Sequence, residues 1–246
     1  MKIIFLGTNG WYDTNTGNTP CILIQTEEYN IILDAGNGIY KIDQYIKDNK
    51  PIYLLLSHFH LDHIFGLHIL PKFKFEQGIK IFGQKGVIKV LNTFINHPYS
   101  MPIKDQPTKI NIHELPNEKE LLPFGIDCLK MFHADPVLGY RLNINNKIIS
   151  YSGDAGIEEN SKKLAENSDL LIHECTLIKN NISSWGHTNP YQVATLAKEN
   201  NVKKLTLVHF DATTYKTIDM RKEAEEIAQS IFPNTIAAMD DMVIEI

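Results

Sequence analysis

Three imidazoles and a carboxylate fall within six residues in Ser57-His58-Phe59-His60-Leu61-Asp62-His63, directly after the apolar run Tyr53–Leu56. If the chain stays extended over 58–60, alternation points His58 and His60 the same way. Asp62 and His63 then lie where the chain turns into its next element. Neutral imidazole is a good ligand for zinc and other divalent transition metals, and a carboxylate compensates their charge. One short loop can thus serve two adjacent ions. Further ligand types close apolar runs elsewhere: His133 after Ile126–Phe132, Asp154 after Tyr151-Ser152-Gly153, and His209 after Leu205–Val208. Residues at the ends of adjacent strands converge on one sheet edge, where ligands bind in α/β proteins.

The elements that must position these residues read as an alternation. Short β-type runs open the chain at Ile3–Leu6, Cys21–Gln25 and Tyr29–Leu33, with the turn-rich segment Gly7–Gly17 between the first two. A helix is expected over Ile39–Lys47, with Ile39, Ile42, Tyr45 and Ile46 on one face. Strands follow at Tyr53–Leu56 and Ile79–Phe82, then a helix at Val87–Asn96 and strands at Ile126–Phe132, Tyr140–Ile144 and Lys147–Tyr151. The last third alternates helix Glu158–Glu166, strand Leu170–His173, helix Tyr191–Glu199, strand Lys204–Val208 and helix Arg221–Ser230. This pattern predicts a layered α/β domain with antiparallel hairpins at the front of each sheet. No linker or repeat divides residues 1–246, which are read as a single domain.

Of the 246 residues, 43% are hydrophobic and 22% charged, which excludes general disorder. The formal charge of −5 argues against a protein that coats nucleic acid through bulk positive charge. Apolar runs such as Ile52–Leu56 are too short to cross a membrane, and Ile3–Leu6 reads as a strand rather than a signal peptide. Cys21, Cys128 and Cys175 form no CxxC pair and cannot all pair, so a reducing cytoplasm is the expected compartment.

At this point the residues resemble the metallo-β-lactamase fold superfamily over nearly the whole chain. The matching segments are Phe5-Leu6-Gly7-Thr8, Leu33-Asp34-Ala35-Gly36, the His58–His63 motif, His133, Ser152-Gly153-Asp154 and Val208-His209-Phe210. The resemblance implies a four-layer αββα sandwich with a dinuclear site on its edge. Carried over position by position, His58, His60 and His133 would hold one ion, and Asp62, His63 and His209 the other. Asp154 would bridge them, and Asp34 would orient the ligand loop from behind. The metals implied are two divalent ions, zinc first, with manganese or iron as alternatives.

Within the superfamily the chain is most similar to the ribonuclease Z-like branch. Asn18-Thr19-Pro20-Cys21, Gly139-Tyr140-Arg141, His173-Glu174-Cys175-Thr176 and Gly186-His187-Thr188 carry that likeness. It implies that His187 is the proton donor, supported by Glu174, with Asp62 counted beside them among the catalytic groups. Two features depart from the branch. Tyr12–Gly17 lacks its lysine and arginine, and only twenty residues separate His133 from Asp154, too few for a long tRNA-binding arm.

The expected activity is therefore a phosphodiesterase on a nucleotide-like or other small phosphodiester. In it, a water shared by two ions is acidified to a pKa of about 7 and attacks phosphorus. The alternatives are an acyl hydrolase (lactonase, glyoxalase II-like thioesterase or β-lactamase) and a tRNA 3′-processing endonuclease. A non-catalytic scaffold would be expected to lose ligands, and none is lost. The oxygen-reducing branch carries Glu where this chain has His60. Nucleic acid is the less favoured substrate, no membrane is expected, and a homodimer follows by analogy. Trp11, Tyr12, Tyr140 and Trp185 are candidates to line a pocket over the metals. His68 is read as packing, His97 as a helix end, His113 as loop, His173 as strand, and Cys175 as a small buried residue.

Overall fold

The computed structural model describes residues 1–179 and 181–246. Its first sheet contains β1 (Lys2–Gly7), β3 (Cys21–Gln25), β4 (Asn30–Leu33), β5 (Ile52–Leu56), β6 (Ile79–Gln84), β7 (Ile110–Leu115) and β15 (Met242–Glu245), in the spatial order β15-β1-β3-β4-β5-β6-β7. The second contains β8 (Gly125–Met131), β9 (Val137–Ile144), β10 (Lys147–Tyr151), β11 (Leu170–Glu174), β12 (Leu205–Val208) and β14 (Thr235–Ala237), in the order β14-β12-β11-β10-β9-β8. A parallel ribbon of β2 (Asn9–Gly10) and β13 (Phe210–Asp211) joins the two halves.

Strand alternation sorts the apolar side chains into three layers. Ile3 and Phe5 of β1, Tyr53 and Leu55 of β5, and Leu170 and Ile172 of β11 fill the space between the sheets. Ile4, Leu6, Leu54 and Leu56 face outward against α1 (Ile42–Tyr45), α2 (Leu61–Ile64) and α3 (Val87–Phe94). Leu171, Leu205 and Leu207 face α4 (Glu159–Ala165), α5 (Pro190–Glu199) and α6 (Ile218–Gln229). The result is the expected αββα sandwich. The expected hairpins are present as the antiparallel pairs β1/β3, β3/β4, β8/β9 and β9/β10, while β4/β5 and β10/β11/β12 run parallel.

Several local expectations are corrected. The 39–47 helix is a 3₁₀ turn over Asn37–Lys41 followed by one α turn ending at Tyr45, because Ile39, Ile42 and Ile46 need only a short segment to reach the core. His113 is not in a loop but in β7, stacked on Phe82 and paired with Glu118. His68 is exposed rather than packed. Tyr140 is fully buried between the sheets, and its hydroxyl donates to the Leu56 carbonyl, so it lines no pocket. β14 and β15, at the sheet edges, lacked a strong sequence signal.

One buried cation fastens the loop after β1. Arg221 of α6 is fully buried and donates to Thr8 Oγ1 at 2.8 Å, to Thr16 Oγ1 at 3.1 Å and to Asn9 Oδ1, with its guanidinium over the Phe210 ring. Thr8 in turn donates to Asp240 at 2.8 Å. Burial lowers the Arg221 pKa to about 10, which leaves it charged at neutral pH. Replacing it by Met would remove the donors that tie Thr8, Asn9 and Thr16 to α6. Arg221→Met is expected to cost ~2–4 kcal/mol and to lower Tm by roughly 5–15 °C in thermal unfolding. An unchanged Tm would show that the network is dispensable.

Candidate metal centre

The carboxyl ends of β4, β5, β10, β11 and β12 open on one edge of the sandwich. They deliver Asp34, the 57–63 segment, Asp154, Glu174 and His209 to the same place, and the turn after β8 adds His133. Three groups of potential ligand atoms lie within 4.8 Å of one another: His58, His60 and His133; His58, His63 and Asp154; and Asp62, His63 and His209. A fourth, His133, Asp154 and His187, joins His187 to them. All seven ligand candidates from the sequence are thus brought together.

Each ring is fixed from behind. The fully buried Asp34 accepts from Ser57 N at 2.7 Å, Ser57 Oγ at 2.8 Å and Tyr151 Oη at 2.6 Å, and sits 2.7 Å from His63 Nδ1. A hydroxyl has one proton. Ser57 Oγ gives its proton to Asp34, so at 2.9 Å it accepts from His58 Nδ1. Thr176 Oγ1 donates to Glu174 Oε2 and therefore accepts from His209 Nδ1 at 3.0 Å. His58, His63 and His209 thus carry Nδ1–H and turn Nε2 toward the site. His58 Nε2, His63 Nε2, His133 Nε2 and Asp154 Oδ1 are buried without a hydrogen-bond partner. Unpartnered buried nitrogens and a carboxylate oxygen facing one space are what divalent ions require. The residues fit.

The electrostatics agree. Burial would raise the Asp154 and Asp62 carboxyls, but the surrounding histidines hold both well below the carboxylate range. Burial, with His63 nearby, pushes His58 down, and burial pushes His133 down, which favours the neutral, ligating form. Burial opposes charge on His63 and His209 as well, yet Asp154 and Asp62 raise both. A proton on either of these rings occupies the place of a cation.

His187 stands apart from this set. Its Nδ1 lies 3.7 Å from Glu174 Oε2, an ion-pair distance rather than a hydrogen bond. Burial disfavours its charge, but Glu174, Asp154 and Asp62 together raise it to about 9. Glu174 itself is filled by Thr176 N at 2.8 Å, Thr176 Oγ1, Thr188 N and Thr188 Oγ1 at 2.7 Å. The Glu174 oxygens are satisfied locally, and its charge faces the imidazole.

The structure also shows partners that sequence reasoning missed. Asp135 meets His60 Nε2 at 2.9 Å, and the Trp11 amide donates to Asp62 Oδ2 at 2.8 Å. The HxHxDH pattern carries no signal for a main-chain donor fifty residues away. Thr176 could have been found from the His173–Thr176 segment, and Tyr151 from its place three residues before Asp154. A cavity of about 690 Å³ covers the centre, lined in part by Trp11, Leu61, Leu177 and Trp185.

A family model described as Beta-lactamase superfamily domain matches residues 29–210. A ribonuclease Z of Sulfurisphaera tokodaii is 26% identical over 279 residues, covering 94% of this chain and 95% of its own. The probable metallo-hydrolase YhfI of Bacillus subtilis is 25% identical over 240 residues, covering 92% and 93%. The solved structure of YhfI superposes with a TM-score of 0.82 at 24% identity over 99% of this chain and 98% of its own. The short form of human tRNase Z gives 0.78 at 23% identity over 100% and 99%. A diphosphatase of the PhnP family gives 0.75 at 15% identity over 100% and 97%. These structural likenesses establish the fold, and the matched family model goes further: the chain belongs to the beta-lactamase superfamily and is one of its metal-dependent hydrolases.

Proposed function

We propose that residues 1–246 form one hydrolase domain that cleaves small phosphodiesters with two divalent ions, zinc first among them. The observation that carries the reading is His187, an imidazole of raised pKa facing the Glu174 carboxylate in the cavity that holds the ligand groups. An alkoxide leaving group needs a proton, and a carboxylic ester or thioester leaving group needs less help. The names of the ribonuclease Z relatives support phosphodiester chemistry. The expected compartment is the cytoplasm, with Cys21 and Cys175 as buried thiols.

In this reading His58, His60 and His133 would hold one ion and Asp62, His63 and His209 the other, with Asp154 available to both. Bound ions of this kind acidify a shared water to a pKa of about 7 and neutralise charge growing on the phosphoryl oxygens. The rest falls to the chain. Asp34, Ser57 and Thr176 fix the rings with Nε2 inward, and Asp135 steadies His60. His187 delivers its proton to the departing oxygen, and Glu174 favours the charged imidazole beforehand. The site makes no use of a nucleophilic side chain.

Three measurements test this. First, the metal-loaded protein should hydrolyse bis(p-nitrophenyl) phosphate and carry about two ions per chain. His60→Ala should lose both turnover and an ion while its circular dichroism stays unchanged. Activity confined to a thioester or a lactone would replace this reading with acyl hydrolysis. Second, His187→Ala should lose ~10²–10⁴ in rate on a diester with an alkyl leaving group, and far less on p-nitrophenyl esters, whose anion departs unprotonated. The acid works only below its pKa, so the wild-type alkyl-ester rate should fall at alkaline pH, a limb the variant lacks. Equal losses on both ester types would remove His187 from the proton transfer. Third, ligation displaces protons from His63 and His209. Metal affinity, read by calorimetry, should weaken as pH falls through the raised pKa values of these two rings, with proton release on binding. A pH-independent affinity would contradict the assigned ligands.

A further inference from the structure

The cavity over the centre combines two properties that restrict its substrate. Its lining contains no lysine or arginine among the described residues, while Asp211 joins Asp62 and Asp154 on its wall. A polynucleotide needs cations for its successive phosphates, and none lines this space. The same wall carries large apolar side chains left open to solvent: Trp11 is 65% exposed, Trp185 62% and Leu61 61%. Exposed indoles on a cavity wall are unusual unless something covers them.

Both indoles are fastened to ligand-bearing segments. The Trp11 amide donates to the Asp62 carboxylate at 2.8 Å, with its backbone at φ +75°, a region a bulky residue rarely enters. The Trp185 carbonyl accepts from Ala134 N at 2.9 Å, one residue beyond His133. Gly186 makes that approach feasible, since a Cβ there would strike the Phe132 carbonyl, and its φ is +86°. Trp11 enters from the loop after β1, in the first sheet. Trp185 enters from the segment after β11, in the second.

We infer that the cavity takes a phosphodiester bearing a single phosphate and a planar ring system, of which a nucleoside ester is the type. Trp11 and Trp185 hold the ring while the phosphate meets the metal centre. This rests on the phosphodiesterase reading and narrows it: the wall selects for a stacked ring and against a chain of phosphates.

The sequence contains two tryptophans, and both line this cavity, so intrinsic fluorescence reports the clamp directly. Thymidine 5′-monophosphate titrated into the metal-loaded protein should quench the emission saturably, and methyl phosphate should not. Trp11→Ala and Trp185→Ala should each weaken the nucleotide Kd by about 5- to 100-fold, and the Trp→Phe forms should recover much of it. The kcat/KM preference for thymidine 5′-(p-nitrophenyl phosphate) over methyl p-nitrophenyl phosphate, which share a leaving group, should collapse by a similar factor. The thymidyl KM should change less than about twofold between ~50 and ~200 mM NaCl. No quenching, equal quenching by both phosphates, or efficient salt-sensitive cleavage of an oligoribonucleotide would overturn the inference. Ring-specific quenching without turnover of either diester would instead overturn the phosphodiesterase reading and leave the ring site standing.

Discussion

The structure depends on one buried carboxylate. Asp34 sits at the end of β4 in the left-handed region, φ +57°, with no exposed surface. Its oxygens take two hydrogen bonds from Ser57, one from the Tyr151 hydroxyl and one contact from His63 Nδ1. Ser57 and His63 bracket the ligand loop of the first sheet, and Tyr151 belongs to β10 in the second. A buried ionised group is costly unless every lone pair is satisfied. The donors that satisfy this one come from both sheets and from the loop between them. The requirement to solvate Asp34 therefore fixes the spacing of the sheets at their working edge. It also fixes the tautomers of His58 and His63, and through them the direction in which nitrogen lone pairs face the candidate site.

This explains why a mixed sandwich is a suitable scaffold. Parallel strands bring their carboxyl ends to one side, so β4, β10, β11 and β12 each contribute one residue, and β5 the 57–63 segment, without a long excursion. Alternation within each strand commits the preceding residues to the core. Leu55 and Ile172 face inward two residues before the functional ends of β5 and β11, so the site rests on packed side chains rather than on loop stiffness. The one mobile-looking contributor by composition, the segment Thr8–Gly17, is instead tied to α6 through Arg221 and to β13 through the β2 ribbon. The Trp11 amide can reach Asp62 because that loop is held from behind.

Most of the site was legible from residue types. His58, His60, Asp62, His63, His133, Asp154 and His209, which the structure gathers in one place, are legible because candidate ligands are imidazoles or carboxylates standing at strand ends. The layers were legible because periodicity shows which strands have two apolar faces. What the sequence hid has a common physical character. Asp135 on His60 and the Trp11 amide on Asp62 are contacts across large sequence separations or through main-chain atoms, which leave no pattern in residue type. Tyr140 was expected at the pocket, yet its ring fills the inter-sheet core, because a hydroxyl that finds a carbonyl partner makes tyrosine as buriable as phenylalanine. The 39–47 helix is shorter and partly 3₁₀, over Asn37–Tyr45, because its three core contacts are met in little more than two turns.

The arrangement of Glu174 bears on how the His187 imidazole could serve as the proposed acid. An ionised carboxylate offers about four acceptor positions. Here the amides and hydroxyls of Thr176 and Thr188 occupy them. His187 is consequently held at 3.7 Å, close enough for the charge to favour imidazolium and too far for a strong hydrogen bond. A tightly bonded partner would retain the proton and would have to be broken at the moment of transfer. A saturated carboxylate one step removed raises the imidazole's affinity for its proton without becoming a competing acceptor. The same Thr176 hydroxyl that helps saturate Glu174 also orients His209. One hydroxyl that donates to Glu174 and accepts from His209 thus sets both the carboxylate facing His187 and the ring of His209.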